Sequence, residues 1–163
     1  MLNLLVRYSS TVFEQAPLSM PVDETRANDV EALMHIFQVG QRMGWPIYAS
    51  EKSLYELDQT PDADQRAELL AYGTQLVDPE GEDVPFANDL GRRLIDAPFT
   101  ASLPDPADRE LIGNAIGLDC DVFCTCDRRT IVKKRDQLRQ LPIRILTPPE
   151  WWSQVKPWAG LWL

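Results

Sequence analysis

Residues 105–129 read DPADRELIGNAIGLDCDVFCTCDRR, and this stretch decides the fold class. Asp105 stands as a cap before Pro106, a first helical position where the missing N–H of proline costs nothing. Leu111, Ile112, Ala115 and Ile116 recur at helical spacing, and Gly117 supplies a stop. Asp121-Val122-Phe123-Cys124-Thr125 is then a short apolar run of the kind buried in a sheet. A basic helix is expected from Asp127 to Leu141, and a second strand at Ile143-Arg144-Ile145-Leu146. Strand, helix and strand in that order form a crossover, which makes the two strands parallel.

Moving outward, the N-terminal side repeats the alternation. A helix from Thr25 to Gly44 carries Val30, Leu33, Met34 and Phe37 as its expected apolar face. Pro46-Ile47-Tyr48-Ala49 is a strand candidate. The helix after it starts at Ser50 and Glu51 and bears Leu54 and Leu57; another opens at Pro61 with Ala67, Leu70 and Ala71. Asp78 to Pro85 (DPEGEDVP) is a solvated loop, Phe86 to Ile95 a weaker helix, and the run from Ala97 to Asp105 an irregular connection. Leu2 to Tyr8 adds an expected strand and Pro148 to Val155 a short helix. The expectation is one α/β domain over residues 1–163, three layers deep (α/β/α), with a mostly parallel central sheet.

Residues 149–163 form a tryptophan-rich helix and tail. Trp151, Trp152, Trp158 and Trp162, four of the five tryptophans, crowd the last 13 positions. They are expected to fold back on the domain's own flank or to meet a second copy, ahead of any other partner.

Composition narrows the classes. At 163 residues, 44% hydrophobic and 25% charged, the chain is long enough to build a core without disulfides or metal. No apolar run approaches the length of a membrane span, and no signal peptide opens the chain, so the cytoplasm is the expected compartment. A formal charge of −9 argues against gripping nucleic acid by bulk charge. Locally the sign reverses: seven of the 16 basic residues lie between Arg128 and Arg144. Cys120, Cys124 and Cys126 are read as small buried hydrophobes rather than zinc ligands, because the sole histidine, His35, is far away in sequence.

Chemistry is expected beyond the carboxyl ends of the strands, where loops and helix starts converge. Asp127 follows the 121–125 strand, Asp108 lies in the first turn of the helix leading into it, and Glu56 lies on the helix after Pro46-Ile47-Tyr48. Singly, each also reads as a cap or a surface charge. Together they would repel unless a hard divalent cation neutralised them, and oxygen donors suit Mg²⁺ or Mn²⁺. Neither a Ser-His-Asp nor a Cys-His arrangement is served, and no phosphate-cradling glycine loop is present. A phosphoacceptor domain would need an acidic pair after the first strand and a lysine after the last, and neither is visible.

The run from Asp108 through Ala115, Gly117 and Val122-Phe123 to Thr125-Cys126-Asp127 resembles the second half of a PIN domain. Pro142 to Glu150, with Thr147-Pro148-Pro149-Glu150, is similar to that family's last strand and the helix after it. Ile47 to Leu57 is similar to the strand and helix that supply its second acidic residue, here Glu56. The resemblance covers most of the chain in the right order. It implies an acidic pocket binding Mg²⁺ or Mn²⁺ through Glu56, Asp108 and Asp127, with the Thr125 hydroxyl near a metal-bound water. It also implies metal-dependent cleavage of RNA steered by Arg128, Arg129 and Lys133, and in many members an antitoxin partner. The chain departs from the pattern at the first strand, where Ser9 stands in place of the usual Asp. That departure motivates the alternative, a degenerate PIN-like fold that binds RNA or a protein without cutting.

Overall fold

The computed structural model describes residues 24–48, 51–64, 66, 67, 70, 71 and 84–160. The expected strand Leu2–Tyr8, Ser9, Ala49, residues 78–83 of the expected Asp78–Pro85 loop and Trp162 lie outside these residues, and the loop's last two residues, Val84 and Pro85, are already helical. Within them the chain is mixed α/β and mostly helical. In order come α1 (Glu24–Met43), α2 (Glu51–Asp58), α3 (Val84–Ile95), a 3₁₀ turn (Pro98–Thr100), α4 (Pro106–Gly117), β1 (Val122–Cys124), α5 (Ile131–Lys134), a second 3₁₀ turn (Arg135–Leu138), β2 (Arg144–Leu146) and α6 (Pro148–Ala159).

β1 and β2 pair in parallel, Val122 opposite Arg144, Phe123 opposite Ile145 and Cys124 opposite Leu146. Two further bonds extend the ladder, from Thr125 N to Leu146 O (3.0 Å) and from Arg144 N to Asp121 O (3.1 Å). Pro46–Tyr48 joins no ladder among the described residues. The long basic helix expected over Asp127–Leu141 is instead one α-turn followed by a 3₁₀ turn, because Asp127 spends its side chain on a tight turn that delays the helix to Ile131. Leu103, Ile112, Ile131, Leu138 and Ile145 form the core beside this crossover, with Ile116, Phe123, Leu141 and Ile143 packed against them. Each fully buried aliphatic side chain contributes roughly 1.5–3 kcal/mol by leaving water.

Two helix pairs flank this unit. In the first, α3 lies so close to α4 that no Cβ fits at two of the contacts. A Cβ on Gly113 would sit 2.7 Å from Gly91 Cα, and one on Gly117 would sit 2.4 Å from Ala87 Cα. The buried residues of α4 are therefore Ile112, Gly113, Asn114 and Gly117. Of the expected apolar face only Ile112 is fully withdrawn, while Leu111, Ala115 and Ile116 are half-buried. The Asp105 cap is as expected, accepting from Ala107 N at 2.9 Å.

In the second pair, α1 packs on α6. Trp152 stacks on His35 (ring centroids 4.7 Å apart) and Trp151 on Trp45 (6.4 Å), so these two tryptophans fold back on the chain itself. Trp158 stays exposed. Helix α6 runs four residues past the expected end, with Pro157 inside it, and starts on a capping box in which Thr147 and Glu150 satisfy each other's backbone N–H. The buried face of α1 is Asp29, Ala32, Leu33, Ile36, Val39 and Gly40. Of the four residues expected there, Leu33 is fully buried, Val30 and Phe37 are half-buried and Met34 points outward. The stripe is rotated because it contains a carboxylate, which the apolar spacing passes over. Cys120, Cys124 and Cys126 are all free thiols.

Candidate functional site

Asp127 sits in the turn that leaves the carboxyl end of β1. Its main-chain N–H donates to Thr125 Oγ1 (3.1 Å), and its own Oδ1 accepts from the N–H groups of Arg129 and Thr130, both at 2.9 Å. These local bonds make the turn and start α5. Thr125 thus shapes the backbone of Asp127.

From the other side, α4 presents Asp108 in its first turn. The two carboxylates meet on one hydroxyl: Thr130 Oγ1 lies 3.2 Å from Asp108 Oδ2 and also hydrogen-bonds Asp127 Oδ2. A threonine hydroxyl carries a single proton and donates to one acceptor at a time. The environments of the two carboxylates differ. Burial would raise the Asp127 pKa, but the Thr130 hydroxyl, the N–H groups of Thr130 and Arg129, and the Arg129 charge outweigh it and hold the carboxyl below its usual range. Asp108 goes the other way. Burial raises its pKa, the contact with Thr130 opposes this, and the negative charges of Asp105, Asp127 and Glu56 add to the rise. Asp127 is thus the carboxylate whose charge its surroundings favour, and Asp108 the one whose charge they penalise.

Glu56 is exposed on α2 and acts on Asp108 through its field. Among the described residues no group of three or more Asp, Glu, His or Cys side chains stands close enough to hold a metal ion. Asp108 and Asp127 are brought together, and Glu56 stands outside that pair. The donor set still fits a hydrated magnesium-type cation, which keeps several waters and takes one or two carboxylates directly.

Arg129 and Lys133 are exposed on the same turn and the helix after it. Arg128, expected to meet RNA, is instead engaged by α1. Its Nη1 and Nη2 donate to Asp29 Oδ2 and Oδ1 at 2.7 and 2.6 Å. The Asp29 side chain is 2% exposed and that of Arg128 37%. Burial pushes the Cys124 thiol up to about 12, with Cys126 and Asp29 adding to it, and pushes Cys126 up to about 11, with Asp29 adding, so both stay protonated.

Two residues of this constellation escape apolar spacing and motif reading, Thr130 and Asp29, and Asp105 is read only as a cap. For Asp29 a signal exists, because it stands four residues before Leu33 and seven before Ile36, in line with the buried stripe. Nothing local marks Thr130, since its partner Asp108 is 22 positions away.

No family model matches the chain, and no curated protein or solved structure is detectably similar to it.

Proposed function

We propose that this chain is a PIN-like ribonuclease dependent on Mg²⁺ or Mn²⁺, built as a three-layer α/β/α domain around a mostly parallel sheet. The observation that carries the reading is the meeting of Asp108 and Asp127 on the Thr130 hydroxyl at the carboxyl end of β1, with Asp105 and Glu56 adding negative charge there. Carboxylates that raise one another's cost are stable neighbours when a cation is available to them. Asp108 and Asp127 would hold that cation directly and Glu56 through water. Once bound, it would neutralise charge on a phosphodiester and orient a water for attack.

The remaining roles belong to the chain itself. Thr125 shapes the backbone at Asp127, while the Thr130 hydroxyl and the two amide donors favour its ionised form. Arg129 and Lys133 attract the RNA backbone as exposed point charges, which position a strand without reading its sequence. A surface of net charge −9 suits a basic antitoxin-like partner, and the exposed Trp158 on α6 suits contact with a second copy. The compartment proposed is the cytoplasm. Among the described residues no helix is long and apolar enough to cross a membrane.

The test is an RNase assay supported by Mn²⁺ on the wild type and on Asp108→Asn. Wild-type cleavage that falls by about a hundredfold or more in the variant is expected. Equal cleavage by both proteins, or none with any divalent metal, overturns the nuclease. Retained RNA binding in the second case selects the non-cutting alternative.

A further inference from the structure

Asp127 is pressed toward like charge. The groups that act on Asp108 electrostatically are Asp105, Asp127 and Glu56, all acidic. The turn carrying Asp127 meets the helix it faces through the Thr130 hydroxyl, 3.2 Å from Asp108 Oδ2, and is opposed there by this acidic company. Its local hydrogen bonds, from Asp127 N to Thr125 and from Arg129 N and Thr130 N to Asp127, each span three residues or fewer. They give the turn its shape, and its place relative to α4 rests on the Thr130–Asp108 contact and on what holds the turn from elsewhere. β1 anchors one end of the turn, and Ile131, 3% exposed in the core, anchors the other. The apex between them is Arg128.

That apex is gripped from behind. Asp29 lies 99 residues earlier in the chain, on the buried stripe of α1, and takes both ends of the Arg128 guanidinium. A two-point, charge-assisted contact fixes direction as well as distance, because the guanidinium is planar. Leu33 and Ile36 on the same stripe are 0% exposed, so the helix that supplies the grip is itself seated in the protein. We propose that Asp29 is a positioning residue: by holding Arg128 from α1, it fixes the turn of residues 125–130 and keeps the Asp127 carboxylate opposite Asp108 against their mutual repulsion. The consequence for cation binding rests on the nuclease reading above, whereas the consequence for the turn does not.

The experiment has two arms on the full chain, using the wild type, Asp29→Asn and Arg128→Lys. The first follows amide hydrogen exchange at Arg129 and Thr130, whose N–H groups Asp127 accepts. In Asp29→Asn both are expected to exchange about tenfold faster or more, while Ile112 in α4 and Phe123 in β1 keep their wild-type rates. Arg128→Lys retains the charge and loses the fork, so it should fall between the two. It also serves where the Asn variant does not fold. No change at Arg129 and Thr130, or equal acceleration at all four amides, overturns the proposal, the latter because it is the mark of a purely structural contact.

The second arm titrates Mn²⁺. Wild-type binding that Asp108→Asn abolishes should weaken about tenfold in Asp29→Asn. Binding of equal strength in Asp29→Asn overturns the positioning role. Absence of binding to the wild type removes the nuclease reading, and the exchange arm alone then decides whether Asp29 holds the turn.

Discussion

Asp29 and Asp108 meet one turn from two different helices, and their charges are treated differently. Asp29 is almost wholly withdrawn from water and receives both nitrogens of Arg128. Asp108 is half-buried, shares a hydroxyl with a second carboxylate, and has Asp105, Asp127 and Glu56 for electrostatic company. Burying a carboxylate is costly unless a cation compensates it. At Asp29 the chain supplies that cation, and the pair serves as a structural joint. At Asp108 the chain supplies more negative charge, an arrangement that costs stability and makes sense where something else completes the site.

The largest expected effect breaks the first side. Arg128→Ala leaves the Asp29 carboxylate buried without its partner and should cost about 3–5 kcal/mol. Asp29→Asn leaves only the partly exposed arginine, which can turn to solvent, and should cost less. Asp108→Asn, by contrast, should leave stability unchanged or raise it. Urea denaturation at pH 7 checks all three, and an Asp108→Asn penalty as large as that of Arg128→Ala would erase the contrast.

A smaller effect sharpens the comparison by moving the helix that carries Asp108. A methyl on Gly91 would lie 2.2 Å from Asn114 Oδ1 and 2.9 Å from the carbonyl of Glu110. Gly91→Ala should therefore wedge α3 from α4 at a cost of about 1–3 kcal/mol. Thermal unfolding of this variant at neutral pH is the check, and an unchanged midpoint would mean that the seam relaxes freely.

The smallest effect concerns pH, where two carboxyls carry opposite signs. The Arg135 fork beside Glu150 (2.6 and 2.8 Å) outweighs burial and, with the Thr147 cap, holds its pKa at about 2 against an ordinary 4.5. Its stabilisation is present above 4.5 and is lost as pH falls through about 2. Asp108 is raised above 3.8, so its contribution is a penalty that appears as pH rises through the folded value. Glu150→Gln should cost about 1 kcal/mol at pH 7, limited by the exposure of both partners, and the cost should vanish toward pH 2. Denaturation of both proteins across pH 2–7 reads the two slopes.

Local chemistry made several elements legible. Asp105 with Pro106, Gly44 with its φ of +64°, and Thr147 with Glu150 mark helix ends through contacts of a few residues. The crossover and its parallel pair follow from an apolar run, a helix and another apolar run. The faces of α1 and α4 were harder, since each depends on what the helix meets. On α4 the close approach of Gly91 and Ala87 draws Gly113 and Gly117 inward, and on α1 a distant arginine draws in Asp29. Asp108 and Asp127 could be named from their places at a helix start and a strand end, yet their meeting runs through Thr130, which spacing does not single out.

By itself, the sequence determined the helix ends that local chemistry marks, at Gly44, Asp105 and Thr147, because caps and glycine turns act over one or two turns of backbone. Tertiary structure alone decided which carboxylate is neutralised and which is left to its neighbours. Coulomb energy and desolvation depend on distance in space, and the chain brings Asp29 to Arg128 and Asp108 to Asp127 across separations that no local pattern encodes.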